Sequence, residues 1–313
     1  MADHTLFSPH QKPPLFPTRA GDGVVVFGMH RSGTSALTRL LTQCGLTPGP
    51  LDMLLGPTEA NPYGHFEPQP LQTFNDGLLN HLERYWHCPP TRVEVFAIAD
   101  FDPVRADLAA VFDEVYPGPG WVYKDPRLCV MWHLYAPLFD PAPVGVFMAR
   151  HPAHVARSLE RRDGIAFEYG LAMWDFYCRS ALAALAHCRR PQVLVYDQMI
   201  EDARGVADQL VAVIDEAGIP RTGVASDASS AIDPAMNRSA AGTDEIVVPR
   251  TTEELWQSIC AMAATDRPEP VPPSPDDVVA LIDRRAALVR EHIDALIGGS
   301  EQPADPVHWP PSY

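Results

Sequence analysis

VVVFGMHRSGTSALTRLL, running from Val24 to Leu41, decides the fold. Val24, Val25, Val26 and Phe27 make a short apolar run of the kind a buried strand shows, and Leu37, Leu40 and Leu41 recur at helical spacing. Between the two lies Gly28-Met-His-Arg-Ser-Gly33-Thr34-Ser35. Glycines there open backbone angles closed to other residues and let successive amide N–H groups curl inward as an anion nest. A tight loop of this kind at a helix N-terminus binds phosphate.

Gly28 and Gly33 stand at the spacing of a nucleoside-triphosphate loop, but that pattern continues with Lys and then Ser or Thr. Thr34 and Ser35 follow instead, and the one cation is Arg31, inside the loop. Two hydroxyls and an internal guanidinium suit a terminal phosphate held without a metal. Downstream, short apolar runs at Trp121–Tyr123, Val144–Met148 and Val193–Tyr196 alternate with helical patterns, the signature of an α/β fold with a parallel sheet flanked by helices. Lys124 ends the second run and Arg150 follows the third. Ligands of open α/β sheets bind in the crevice beyond such strand ends. Ser158, eight residues after Arg150, falls two turns into the next helix.

Arg-Ser-Gly-Thr-Ser after a first strand, Lys124-Asp125-Pro126 after a second, and Arg150 with Ser158 after a third resemble, in this order, the signatures of bacterial sulfotransferases dependent on 3′-phosphoadenosine 5′-phosphosulfate (PAPS). The resemblance covers about residues 22–240. It implies the P-loop-like sulfotransferase fold and metal-independent, in-line transfer of a sulfuryl group to a hydroxyl of a carbohydrate, lipid or small metabolite, leaving 3′,5′-bisphosphate (PAP). It implies that Arg31, Ser32, Gly33, Thr34 and Ser35 hold the 5′-phosphate, and that Arg150 and Ser158 hold the 3′-phosphate. Arg238, in the loosely matching Asp233–Arg238 stretch, would touch the same 3′-phosphate. Lys124 and Arg31 would stabilise charge on the leaving oxygen, where a loose transition state concentrates it. The proton of the acceptor would go to Glu67 or His65, which point to one side if the chain there is extended. Asp125 is expected to cap the following helix and fix Lys124, and Arg127 to be structural. Two other readings stay open: a small-molecule kinase with a variant loop, using Asp197 on magnesium, and a non-catalytic nucleotide-binding descendant.

A net charge of −16 argues against a nucleic-acid footprint. Six scattered cysteines without CxxC spacing indicate neither a zinc site nor a redox pair, and reduced thiols fit a cytoplasmic protein. No apolar run approaches membrane-spanning length. The abundance of Pro, Ala, Asp and Arg suggests a bacterial source. Residues 1–21 read as a flexible arm, 22–240 as the α/β domain, 241–298 as its helical extension and 299–313 as a flexible tail. Helices are expected at about Pro68–Tyr85, Asp102–Val115, Ile165–His187, Asp197–Ala217, from a Thr251/Glu254 capping box to Ala264, and over Val278–Ile297. Neither the acceptor nor the oligomeric state is legible in the sequence.

Overall fold

A computed structural model describes residues 18–58, 61–91, 101–222, 232, 247–265 and 267–298. Its centre is a four-stranded sheet, all parallel, in the order β2-β1-β3-β4. The strands are β1 (Gly23–Phe27), β2 (Trp121–Lys124), β3 (Val144–Ala149) and β4 (Arg189–Val195). Val24, Val26, Val144, Val146 and Met148 face one side, under the helices α1 (Thr34–Gln43) and α8 (Ala203–Glu216). Val25, Phe27, Trp121, Tyr123 and Phe147 face the other, under a thicker layer built from α2 (Gln69–His81), α3 (Phe101–Val115), α4 (Leu128–Tyr135) and α6 (Phe167–Leu185). Both faces being covered explains why the strands read as continuous apolar runs.

Pairing of β1 with β2 on one side and β3 on the other sets the site. Val26 lies opposite Lys124, and Phe27 opposite Phe147. The three stretches that carry the resemblance therefore leave the sheet from the carboxyl ends of three adjacent strands. The chain winds from β1 outward in both directions, so this is the switch point of the sheet. After β3, His151 caps α5 (Pro152–Asp163), its Nδ1 accepting from the Ala153 amide, with Pro152 at the first helical position.

Several boundaries differ from the sequence reading. The helix expected to reach Tyr85 stops at His81, because Glu83 takes a left-handed backbone with φ 54°. The single helix expected from Asp197 is two, α7 (Tyr196–Glu201) and α8, broken at Asp202, whose carboxylate accepts the Gly205 amide at 2.8 Å. Asp202 is thus the cap. Thr251 and Glu254 form no capping box, since α9 (Arg250–Thr265) already starts at Arg250 and Glu254 pairs with that arginine. In α10 (Asp276–Gly298) the inward stripe is Ile282, Ala286 and Val289, while Leu288 is exposed. The expected arm does not extend to residue 21: Arg19 exchanges backbone hydrogen bonds with Leu138 and Asp140, and its guanidinium reaches Asp113 and the Tyr116 carbonyl. Residues 1–17, most of the 219–248 segment, and the tail from 299 lie outside the described residues. All six cysteines are unpaired, five of them buried.

Candidate functional site

The loop after β1 holds its shape through three left-handed backbones. Gly28 has φ 154° and Gly33 φ 90°; a Cβ on Gly33 would stand 2.2 Å from the Tyr196 ring, and one on Gly28 2.5 Å from the Met148 carbonyl oxygen. Arg31 takes φ 70° without being glycine, a conformation costing about 1–2 kcal/mol. The Ser32 amide closes a turn on the Met29 carbonyl at 3.1 Å, and α1 begins at Thr34 with first-turn amides that have no intrahelical acceptors. Ser32 is fully buried, and its hydroxyl has no hydrogen-bond partner among the described residues.

Two further segments close on this loop. Arg31 Nε donates to Ser158 Oγ at 2.8 Å, across 127 residues of sequence. Arg150 Nη1 donates to the Arg31 carbonyl at 3.4 Å, and the Arg150 guanidinium lies over the Tyr196 ring at 4.5 Å. The same ring that forbids a Cβ on Gly33 therefore also seats Arg150. Trp174 of α6 donates to the Arg150 carbonyl at 2.9 Å and fixes the turn between β3 and α5.

The 54–68 segment supplies the opposite wall. The Leu55 amide donates to the Glu67 carbonyl and the His65 amide to the Leu55 carbonyl, which folds the segment back on itself. Phe66 has φ 56°, so the chain is not extended there, and His65 and Glu67 do not share a side by alternation. Both still reach the pocket. Lys124 Nζ donates to Glu67 Oε1 at 2.5 Å and to Ser35 Oγ at 3.2 Å; Ser35 Oγ donates to the His65 carbonyl at 3.2 Å. The His65 Nε2 lies 3.0 Å from Thr58 Oγ1.

Beneath this wall Asp125 accepts from the Arg127 amide and guanidinium and from Asn75 Nδ2. It caps the turn into α4 as expected, but it fixes Arg127 rather than Lys124. Arg127 forks onto Asp76 at 2.6 and 3.0 Å and stands 3.9 Å from Glu67 Oε2. Asn75 is held in turn by the Tyr123 and Tyr135 hydroxyls. A buried network in which every member has a partner is rigid, and here it forms the floor under Glu67 and Lys124.

The electrostatics separate the two candidate bases. Burial pushes the Glu67 carboxyl up, with Lys124 and Arg127 pulling it part of the way back. Burial, then Lys124, Arg162 and Arg31, hold His65 down to about 4. A proton on His65 would thus sit among cations, whereas one on Glu67 would relieve a desolvated charge. Burial lowers Arg31 to about 10, helped by Arg162 and Arg150. Burial also lowers Arg150, against Tyr196 and Asp197. Burial would lower Arg127 too, but Asp125, Asp76 and Glu67 outweigh it and hold it up.

Arg31, Gly33, Thr34, Ser35, His65, Glu67, Lys124 and Arg150 all line one pocket. Ser158 stands behind Arg31, and Ser32 lies in the loop itself. Arg238 lies outside the described residues. Among the liners not assigned from the sequence are the polar His30, Arg39, Tyr63 and Arg162. Arg162 was within reach of the sequence reading, being one helical turn beyond Ser158 on the same face of α5. His30 is held neutral by burial and by the surrounding cations, its ring packed on Trp86 with centroids 4.4 Å apart at a tilt of 46°.

No protein-family model matches the sequence, and no curated protein matches it. Among solved structures, the sulfotransferase domain from the Synechococcus PCC 7002 olefin synthase is similar to this chain at 16% identity and a TM-score of 0.45, covering 80% of this chain and 98% of that one. So distant a likeness carries no argument about the chemistry, which has to come from the pocket.

Proposed function

We propose that the protein is a bacterial, cytoplasmic sulfotransferase that moves a sulfuryl group from PAPS to a hydroxyl of a carbohydrate, lipid or small metabolite. The observation that carries this reading is the closure of Arg31 on Ser158 and of Arg150 on the Arg31 carbonyl. It joins a loop suited to one phosphate to an Arg/Ser pair suited to another, as a 3′,5′-bisphosphate requires.

The residues present fit such a donor. Arg31, Ser32, Gly33, Thr34 and Ser35 would hold the 5′-phosphate, where the buried, unpartnered Ser32 hydroxyl gains an acceptor. Ser158 Oγ accepts from Arg31 and keeps its own O–H to donate, so with the Arg150 guanidinium it would hold the 3′-phosphate. Arg238 is kept as a proposed third contact there. The donor supplies an activated sulfuryl group: a sulfur–oxygen bond to the acceptor forms as the bond to the 5′-phosphate breaks. Lys124 and Arg31 stabilise the charge left on that phosphate oxygen. Glu67 takes the acceptor's proton, its burial making it the stronger base, with His65 as the other candidate.

The test is calorimetric titration with PAP beside ATP and magnesium, followed by PAPS turnover in the Lys124→Ala variant. The expected result is binding of PAP in preference to ATP, with PAP affinity retained in the variant and turnover lowered by about 100-fold or more. Preference for ATP with magnesium would replace the reading by the kinase; unchanged turnover would remove Lys124 from the mechanism.

A further inference from the structure

We propose that Arg162 is a further catalytic cation of this site, donating from its terminal guanidinium nitrogens to the oxygens of the transferring sulfuryl group. The inference rests on the sulfotransferase reading. Neither the loop motif nor the Arg150/Ser158 pair contains this residue, and its placement is the argument for it.

Arg162 lines the pocket together with Glu67 and Lys124. It sits in the last turn of α5, four residues beyond Ser158, so the two side chains stack on one face of the helix. Its Nε is held at 2.8 Å by both carboxylate oxygens of Asp163, whose side chain is 2% exposed. The guanidinium carbon rests 5.7 Å from the centre of the Trp86 ring, and Trp86 is itself fixed by the Tyr177 hydroxyl on its carbonyl. Anchored through Nε, the fork keeps its two terminal nitrogens in reserve: they make no hydrogen bond among the described residues. A planar fork with its stem fixed and its tips open suits a group with several equivalent oxygens.

The side of the sheet against which each guanidinium rests says which end of the donor Arg162 meets: Trp86 belongs to the layer that also holds Tyr123, whereas Arg150 lies over Tyr196 of the opposite layer. After burial, Arg162 is the strongest influence on Arg31, and it also bears on His30 and on His65. Arg31, Lys124 and Arg162 line one pocket with the candidate bases His65 and Glu67. Oxygens of a sulfuryl group in a loose transition state lie between the attacking and leaving atoms, and cations placed around them lower the barrier.

PAP and PAPS carry the same formal charge when their phosphates are fully ionised, so the ratio of their affinities isolates contacts to the sulfuryl group from the general field of the pocket. The experiment measures Kd for both ligands with the full chain and with Arg162→Ala, Arg162→Lys and Asp163→Asn. Arg162→Ala should leave PAP affinity within about twofold and reduce the relative affinity for PAPS about tenfold, the loss of one charge-assisted hydrogen bond. Arg162→Lys should recover part of it, and Asp163→Asn should lose part of it. Retained PAP binding also shows that each variant is folded. An unchanged PAPS:PAP ratio, or an equal fall for both ligands, overturns the role of Arg162 while leaving the donor site standing. A wild-type chain that binds neither ligand overturns the proposal and the sulfotransferase reading together.

Discussion

Glu67→Gln tests whether the wall of the pocket is built on a buried ion pair. Lys124 is 1% exposed and Glu67 9% exposed by side chain, with 2.5 Å between Nζ and Oε1. Removing one member of such a pair strands the other charge, at a cost of about 3–5 kcal/mol. Arg127 keeps Asp76 and Asp125, so only Lys124 is left without a carboxylate. Lys124 retains Ser35 and borders a pocket, which moves the expected loss to the lower end, about 3 kcal/mol. Lys124→Met should destabilise less, since Glu67 keeps Arg127 at 3.9 Å. The double variant Glu67→Gln/Lys124→Met should be more stable than the sum of the singles predicts, with a coupling of about 2–3 kcal/mol. Urea unfolding of the four proteins at neutral pH reads this directly, the slopes being required to agree. A loss below about 0.5 kcal/mol for Glu67→Gln, or additive singles, would refute the buried pair as the organising contact of this wall.

Gly33→Ala combines a backbone at φ 90° with a Cβ 2.2 Å from Tyr196, so it should lower the melting temperature and abolish PAP binding; normal binding would mean that the loop is not the phosphate cradle. Stability should also fall in mild acid. Burial holds His87 to about 4 and His133 to about 3, well below the ordinary 6.5, so the unfolded chain binds more protons through that interval. The stability linked to neutral histidines is complete above pH 6.5 and is lost as pH falls through about 4. A melting temperature that stays flat between pH 7 and pH 4 would contradict this, roughly the interval over which ordinary histidines finish titrating.

Much of the sheet was legible because apolar runs bounded by a cation or a helix cap admit few readings. Val24–Phe27, Trp121–Lys124 and Val144–Ala149 are strands for the reason the sequence suggests: they are apolar on both faces. The convergence of Arg31, Lys124 and Arg150 followed from strand order, since all three leave neighbouring carboxyl ends. What was not legible lies where side-chain chemistry competes with periodicity. Asp202 breaks a helix that its apolar pattern would continue, by taking the Gly205 amide. Phe66 adopts a left-handed backbone that nothing in its own side chain announces, so the relation between His65 and Glu67 could not come from alternation. Arg162 carried a signal in its spacing from Ser158, but a helical arginine beside an aspartate reads equally well as a surface pair. Only Trp86, brought in from the segment after α2, and the shared pocket distinguish it.

The measurement that tests the central claim most directly is the affinity of PAP relative to AMP, by calorimetry, in the wild-type chain and in Arg150→Ala. The account predicts that PAP binds at least about tenfold tighter than AMP in the wild type, and that Arg150→Ala removes most of that preference while leaving AMP affinity nearly unchanged. Equal affinity for the two nucleotides, or a preference for PAP that survives the loss of Arg150, would contradict it.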